Sequence, residues 1–314
     1  SRNILKSAIK SLDKEGYQYI AGIEIECHIY ELEDTKLEPE FSGQPAEPPK
    51  VRLLAHGYNY LTELRMDKLD PVFEILRKYL ALLGIPLRTL ETEFGPSQFE
   101  FTFTPTDGLA AADNVTLFRN AVKQICYRHG YHATFMCRPA LKNAFASGWH
   151  LHQSLIRKSD DMNVFTPETN NELLSDTGQK FVAGILKNAP AAAVFTTPTV
   201  NGYKRYAPNS LAPDRTVWGR DNKGAMLRVI GSGSNDGATR IENRIGEPAA
   251  NPYLYLSSQI YSGLDGLKRN INPPKPTNNP YAADAEKLPT NLIEAVRQLN
   301  QSTMFRKAMG DKFI

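Results

Sequence analysis

The sequence predicts an α+β fold with a largely antiparallel sheet flanked by helices. Two patterns carry that reading. Five short runs, at 21–30, 98–104, 149–156, 225–230 and 239–244, alternate apolar and polar residues, as a strand buried on one face does. Around them lie helical spacings but no regular βαβ rhythm, which argues against a parallel sheet.

The helices follow the i, i+3, i+4 spacing of apolar residues. Residues 2–14 read as an amphipathic helix, and 67–83 as a second one stopped by Gly84. A third runs from Asp113 to Gly130, a fourth over 177–187, and a fifth over 252–267 behind the Asn251-Pro252 boundary. Residues 31–50, rich in Glu, Pro and Gly and without periodicity, are expected to form a surface excursion.

With 314 residues, 41% of them hydrophobic, the chain has ample material for a large core. Its 37 basic and 34 acidic side chains leave a net charge of only +3, so no strong basic field points to nucleic acid. Cys27, Cys126 and Cys137 are too few and too scattered for a disulfide framework or a zinc knuckle. No apolar run of about 18 residues suits a membrane span, and no cleavable leader pattern opens the chain. The expected class is a soluble cytoplasmic protein. Both ends read as cut from something longer.

Alternation decides which side chains share a face. Glu24 and Glu26 project from one side of their strand, with Ile23, Ile25 and Cys27 on the other. Glu100 lies opposite Phe99, Phe101 and Phe103, while His150 and His152 project together, as do Arg240, Glu242 and Arg244. A polar outer face gives the same alternation in any one strand. Four strands carrying carboxylate, imidazole and guanidinium groups, with little Thr, Lys or Ser, are a different matter. Neighbouring carboxylates repel unless a cation neutralises them, and an oxygen-rich set with few imidazoles suits Mg²⁺ or Mn²⁺ better than Zn²⁺. A concave acidic sheet holding divalent cations is therefore expected. Tyr203-Lys204-Arg205, the turns at Pro208 and Pro213, and then Arg220, Lys223 and Arg228 supply groups that grip phosphate and carboxylate. Gly231-Ser232-Gly233-Ser234 lacks the Gly-Lys-Ser/Thr ending of a phosphate loop and reads as a turn.

These segments, in this order, resemble the signatures of the glutamine synthetase catalytic domain. The matching stretches are Gly22-Ile23-Glu24-Ile25-Glu26, the run 93–100, the run 147–154, Asn201-Gly202-Tyr203-Lys204-Arg205, and 240–244 followed by 249–253, with 288–292 beyond. The resemblance implies a half-barrel sheet lining the active site. It implies that Glu26, Glu93 and Glu100 bind the metal on the glutamate side, and Glu24, His150 and Glu242 the metal bridging the ATP phosphates. Two or three Mg²⁺ or Mn²⁺ ions per site are expected. His152 and Ser154 match nucleotide positions, Arg228 and Arg240 match phosphate contacts, and Arg205 and Arg244 match the arginines that hold glutamate and the transferred phosphoryl group. The implied reaction phosphorylates the glutamate γ-carboxylate with ATP and then lets an amine displace phosphate.

Three departures qualify the match. Where the ammonia-using enzymes carry a glutamate that helps deprotonate ammonium, this chain has Leu211. That side chain cannot take a proton, but with Trp218 it offers an apolar wall to an organic amine. Lys223 stands where an arginine is expected, and Asn143-Ala144-Phe145-Ala146 replaces the usual small residues and asparagine. The family's small N-terminal β-rich domain, which completes a neighbour's site in a ring of two stacked hexamers, is not seen before Gly22. The leading expectation is a ligase joining glutamate to an organic amine. The alternatives are glutamine synthesis from ammonia and a non-catalytic scaffold of the same fold.

Overall fold

The computed structural model describes residues 1–60, 62–206 and 210–314; Pro208, one of the two expected rigid turns, lies outside them. The chain opens with α1 (Arg2–Asp13) and the 18-residue strand β1 (Tyr17–Asp34), followed by β2 (Lys50–Arg52) and α2 (Glu63–Leu82). Next come β3 (Leu87–Thr92), β4 (Gln98–Phe103), β5 (Thr106–Asp107), α3 (Gly108–Arg128), β6 (Tyr131–Thr134) and β7 (Trp149–Arg157). The second half holds α4 (Asp176–Thr196), β8 (Trp218–Arg220), β9 (Leu227–Ile230), β10 (Arg240–Gly246), α5 (Pro252–Lys268), α6 (Leu292–Gln301) and α7 (Thr303–Met309).

The strands form one open sheet of ten, in the order β3-β4-β1-β7-β10-β9-β8, with β2, β5 and β6 also pairing with β1. Every pairing is antiparallel except β8 with β9. The apolar face of the sheet is buried. Ile23, Ile25 and Cys27 of β1 join Phe99, Phe101 and Phe103 of β4 and Trp149 and Leu151 of β7 in the core. Phe118 of α3 meets Phe101 and Phe103 edge-on, with ring centres 5.0 and 5.1 Å away. Trp149 packs edge-on against Tyr255 of α5 at 5.0 Å. Helices thus cover one face and leave the charged side chains on the other.

Several element boundaries differ from the sequence expectation, each for a local reason. α3 starts at Gly108 rather than Asp113, because the Asp107 carboxylate accepts from the Leu109 and Ala110 amides and caps the helix there. α2 starts at Glu63, one turn before the expected Asp67, and ends where Gly84 adopts φ +70°. α4 extends from the expected 177–187 to Thr196 and continues through Pro190. Its second half is Ala-rich and buried all round, so tertiary packing overrides the proline. The excursion expected over 31–50 begins only after Asp34. Residues 31–34 belong to β1, where Glu31 and Glu33 face Arg52 and Lys50 in ion pairs with the returning β2. Strands β2, β3, β5, β6 and β8 and helices α6 and α7 are additional to the elements expected from the sequence. The three cysteines are buried and free. Among the described residues, no helix is long and apolar enough to cross a membrane.

Helices α4 and α5 cross at unusually close range. A Cβ at Gly184 would lie 2.1 Å from the Ser262 carbonyl oxygen and 2.7 Å from the Gly266 nitrogen. Both atoms are backbone, so the helices themselves would have to separate. Gly184→Ala is expected to cost about 1–3 kcal/mol and to lower the melting temperature by several degrees. Gly237→Ala, where nothing stands within 4 Å of the added carbon, should leave melting unchanged in the same assay.

Candidate active site

The antiparallel register assembles the polar face. β1 places Glu26 opposite Glu100 of β4 and Glu24 opposite His150 of β7. β7 places His152 opposite both Gly22 of β1 and Glu242 of β10. Glu93 follows β3 in a turn whose amide donates to the Gln98 carbonyl. The six residues expected to ligate metal therefore converge, though four separate segments carry them.

Three donor sets have ligand atoms mutually within 4.8 Å: Glu26, Glu93 and Glu100; Glu24, Glu100 and His150; and Glu24, His152 and Glu242. The grouping differs from the expected division in two respects. Glu100 also stands in a set with Glu24 and His150, and His152 takes a place beside Glu24 and Glu242, because Glu24 lies between the two imidazoles. His150 Nδ1 is 2.6 Å from Glu24 Oε1 and 3.6 Å from Glu242 Oε1, while His152 Nε2 is 3.0 Å from Glu24 Oε2.

The partners fix the tautomers. Guanidinium groups only donate, so His150 Nε2, 3.1 Å from Arg205 Nη2, accepts and its Nδ1–H donates to Glu24. By the same logic, Arg240 donates to His152 Nδ1 at 3.2 Å, and His152 Nε2–H donates to Glu24.

The charges divide the site into two halves. Glu242 is fully buried, with Arg228 donating to one of its oxygens at 3.0 Å and Arg244 to the other. Burial alone would raise its pKa, yet Arg244 and the two imidazoles hold it below the usual carboxylate range. Burial also opposes ionisation of Glu24, but His150 and His152 hold that carboxylate well below its ordinary value. Burial and the Arg244 charge lower His150 to about 4, so it is neutral at pH 7.

The other half lacks such partners. Among the described residues no lysine or arginine forms an ion pair with Glu26, Glu93 or Glu100. Burial, reinforced by Glu93, raises Glu26 to about 8. Burial, reinforced by Glu24, Glu26 and Glu93, raises Glu100 to about 10. A divalent cation is the group such a carboxylate set accommodates best.

The arginines are fixed from behind. Arg205 is buried and donates to the Arg244 carbonyl at 2.8 Å; a Cβ at Gly148 would stand 2.6 Å from its Nη2. Arg244 Nε donates to the Lys223 carbonyl at 2.8 Å. Lys223 itself points to solvent and meets this network only through its backbone. Ser154, His152 and Arg240 line a cleft of about 500 Å³ with Ile20, Gly22 and Arg88.

One expected site residue, Trp218, is placed differently. Trp218 is only 4% exposed in β8, its indole N–H donating to the Pro274 carbonyl at 2.7 Å. Its side chain belongs to the core and forms no wall for a substrate, because the alternation of β8 turns it inward. Leu211 lies on the loop after Arg205 with φ +57° and 55% of its surface exposed.

Two residues that motif reading passed over also touch the acids. Gln98 Nε2 donates to Glu26 at 2.9 Å and to Ser147 Oγ at 3.0 Å. It sits two residues before Glu100 on the same strand face, so alternation could have found it. Tyr60, whose hydroxyl donates to Glu93, stands in an aperiodic loop that offered no signal.

The raised acids have a measurable consequence. In metal-free protein Glu26 is protonated at neutral pH when folded and ionised when unfolded. Its folded pKa is the higher one, so stability falls as pH rises from the ordinary carboxylate range near ~4.3 to about 8. Thermal melts of chelator-treated protein should therefore drop between pH 6 and 8, and Mn²⁺ should reverse the loss. At pH 7, titration calorimetry in buffers of different ionisation enthalpy should show protons released as Mn²⁺ binds. A pH-independent melt and proton-neutral binding would contradict this electrostatic picture.

Comparison with known proteins agrees with this architecture. The family model described as glutamine synthetase, catalytic domain, matches residues 1–314. A gamma-glutamylanilide synthase from an Acinetobacter species is 50% identical over 100% of this chain and 63% of its own length. Glutamine synthetases of Thermococcus kodakarensis and Methanosarcina mazei are 36% and 33% identical over 99% of the chain and 68% of theirs. The chain thus spans 63–68% of the length of these relatives. Two solved structures, a GmaS/ADP complex in its first conformation and apo GmaS without ligand, superpose with a TM-score of 0.79 at 28% identity. They cover 99% of this chain, which corresponds to 70% and 69% of theirs. With its whole length matched by the family model, the chain belongs to the glutamine synthetase family and represents its catalytic domain.

Proposed function

We propose that this chain carries an ATP-dependent ligase site that joins glutamate to an organic amine through a γ-glutamyl phosphate. The observation that carries the reading is the sheet face on which five carboxylates and two imidazoles meet four arginines. Glu26, Glu93 and Glu100 would hold one Mg²⁺ or Mn²⁺, and Glu24 and Glu242 with His150 or His152 a second, with room for a third by family analogy. Bound dications would neutralise the phosphoryl oxygens and the substrate carboxylate.

The protein's own groups do the rest. The cleft lined by His152, Ser154 and Arg240 is assigned to the nucleotide, and Arg228 and Arg240 to its phosphates. Arg205 and Arg244 are assigned to glutamate and the moving phosphoryl group; because backbone carbonyls already fix their guanidinium groups, little reorganisation is needed during transfer. In the first step a γ-carboxylate oxygen bonds to the terminal phosphorus and the bond to ADP breaks. In the second the amine nitrogen bonds to the γ-carbon, phosphate leaves, and the nitrogen loses a proton.

Leu211 favours an organic amine over ammonia. It offers no carboxylate to trap ammonium or accept its proton, whereas a weakly basic amine is already neutral at pH 7. The name of the Acinetobacter relative supports the same direction. Retention of buried, mutually repelling carboxylates disfavours a non-catalytic scaffold. With glutamate and ATP, phosphate release should respond more to an alkyl- or arylamine than to ammonium, and Leu211→Glu should move the preference toward ammonium by about tenfold or more. Ammonium as the best acceptor of the unaltered protein would sink the amine assignment, and no ADP formation with any acceptor would sink the ligase.

A further inference from the structure

We propose that an aryl group on the amine is received by four aromatic side chains beside Glu93: Tyr58, Tyr60, Phe94 and Phe145. The inference rests on the ligase reading above and gives its amine a chemical class.

Phe94 is the centre of the cluster. The Tyr60 ring stacks on it at 5.9 Å and 24°, while Tyr58 and Phe145 approach edge-on at 5.5 and 5.4 Å. Despite these contacts the rings are not a core. Tyr58 is 53% exposed and Tyr60 47%, and Phe94 and Phe145 are partly exposed. Aromatic surface left open beside a charged centre points to a binding site.

The cluster is continuous with the reacting centre. The Tyr60 hydroxyl donates to Glu93, which shares its donor set with Glu26 and Glu100. It also lies at the far end from the nucleotide cleft. That cleft takes Ile20, Gly22 and Glu24 from β1, whereas the turn bearing Phe94 meets the other end, where the Ile29 amide donates to the Ser97 carbonyl. Along β1 the order is cleft, carboxylates, aromatic cluster. An acceptor entering from the aromatic side would meet the γ-carboxylate opposite the nucleotide.

The rings are held in place before any ligand arrives. A Cβ at Gly57 would lie 2.3 Å from the Pro96 nitrogen, so only glycine lets the 57–60 segment sit on that turn. Tyr58 adopts φ +66°, a strained value for a side chain of its size, and is held there by its amide donating to the Phe94 carbonyl at 2.6 Å and its hydroxyl to Asn143 O at 2.8 Å. Buried Arg65 joins the two segments by donating to the carbonyls of Asn59 and Gly95. Gly95 lets Phe145 close in, since a Cβ there would stand 2.6 Å from the phenylalanine Cβ. Such preorganisation suits a flat, rigid ligand. Glutamate, charged at both ends, gains little from four rings, and the apolar wall expected from Trp218 is absent because that indole is in the core.

The test uses the full-length protein with glutamate and ATP, and compares aniline with methylamine as acceptors. Tyr60→Ala and Phe145→Ala should each lower the aniline-over-methylamine ratio of kcat/KM by about ten- to a hundredfold, as expected for losing burial of a ring. Tyr60→Phe, which keeps the ring and removes the hydroxyl from Glu93, should retain most of that ratio. Equal losses for both amines, or a change confined to the KM for ATP, would overturn the inference and leave the ligase reading standing. If no amine stimulates the unaltered protein, the ligase reading fails and this inference with it.

Discussion

Repulsion among carboxylates on one sheet face is the constraint around which the structure is arranged. Glu26 and Glu100 are direct cross-strand partners, Glu93 lies within ligand distance of both, and Glu24 within ligand distance of Glu100. Like charges so placed are unfavourable, and burial makes them more so. One half of the site answers with groups of the protein, Arg228 and Arg244 on Glu242 and imidazole donors on Glu24. The other half leaves Glu26 and Glu100 protonated at neutral pH until something divalent takes the place of the protons. That asymmetry separates a region where charge is already balanced from one where an incoming ion completes it.

The helix side of the sheet makes the constraint tolerable. Strands β4, β1, β7 and β10 hold their polar groups in register because their opposite face is locked by Phe118, Tyr255 and the buried aliphatic residues around them. A one-residue slip in β1 would turn Glu24 and Glu26 into the apolar layer and Ile23 and Ile25 toward the acids. Hydrophobic packing therefore fixes an electrostatic arrangement that would otherwise disperse. Behind the sheet, Gly184 and Gly266 let the backbones of α4 and α5 approach closely.

Chemical roles follow position along β1. The cleft lined by His152 and Arg240, the carboxylates and the aromatic rings succeed one another along that strand, an order that suits the in-line transfer proposed above. Of the residues that differ from the ammonia-using pattern, Phe145 joins the aromatic cluster through Phe94 and Leu211 lies exposed on the loop after Arg205. The proposed acceptor contacts thus lie in loops, and most of the proposed metal ligands in strands.

The sequence alone determined the alternation that puts Glu24 with Glu26, His150 with His152, and Arg240 with Glu242 and Arg244, because strand periodicity is local. It also determined the family, through the order of its motifs. Element ends were less legible: the cap at Asp107 and the burial that carries α4 through Pro190 depend on contacts outside the periodic pattern. Only the tertiary structure decided which strands are neighbours, and hence that Glu24 sits between two histidines and Glu26 faces Glu100. It turned Trp218 inward and brought Tyr60 to Glu93 across 33 residues of chain. Such pairings are set by packing the whole apolar layer at once, and no local spacing records them.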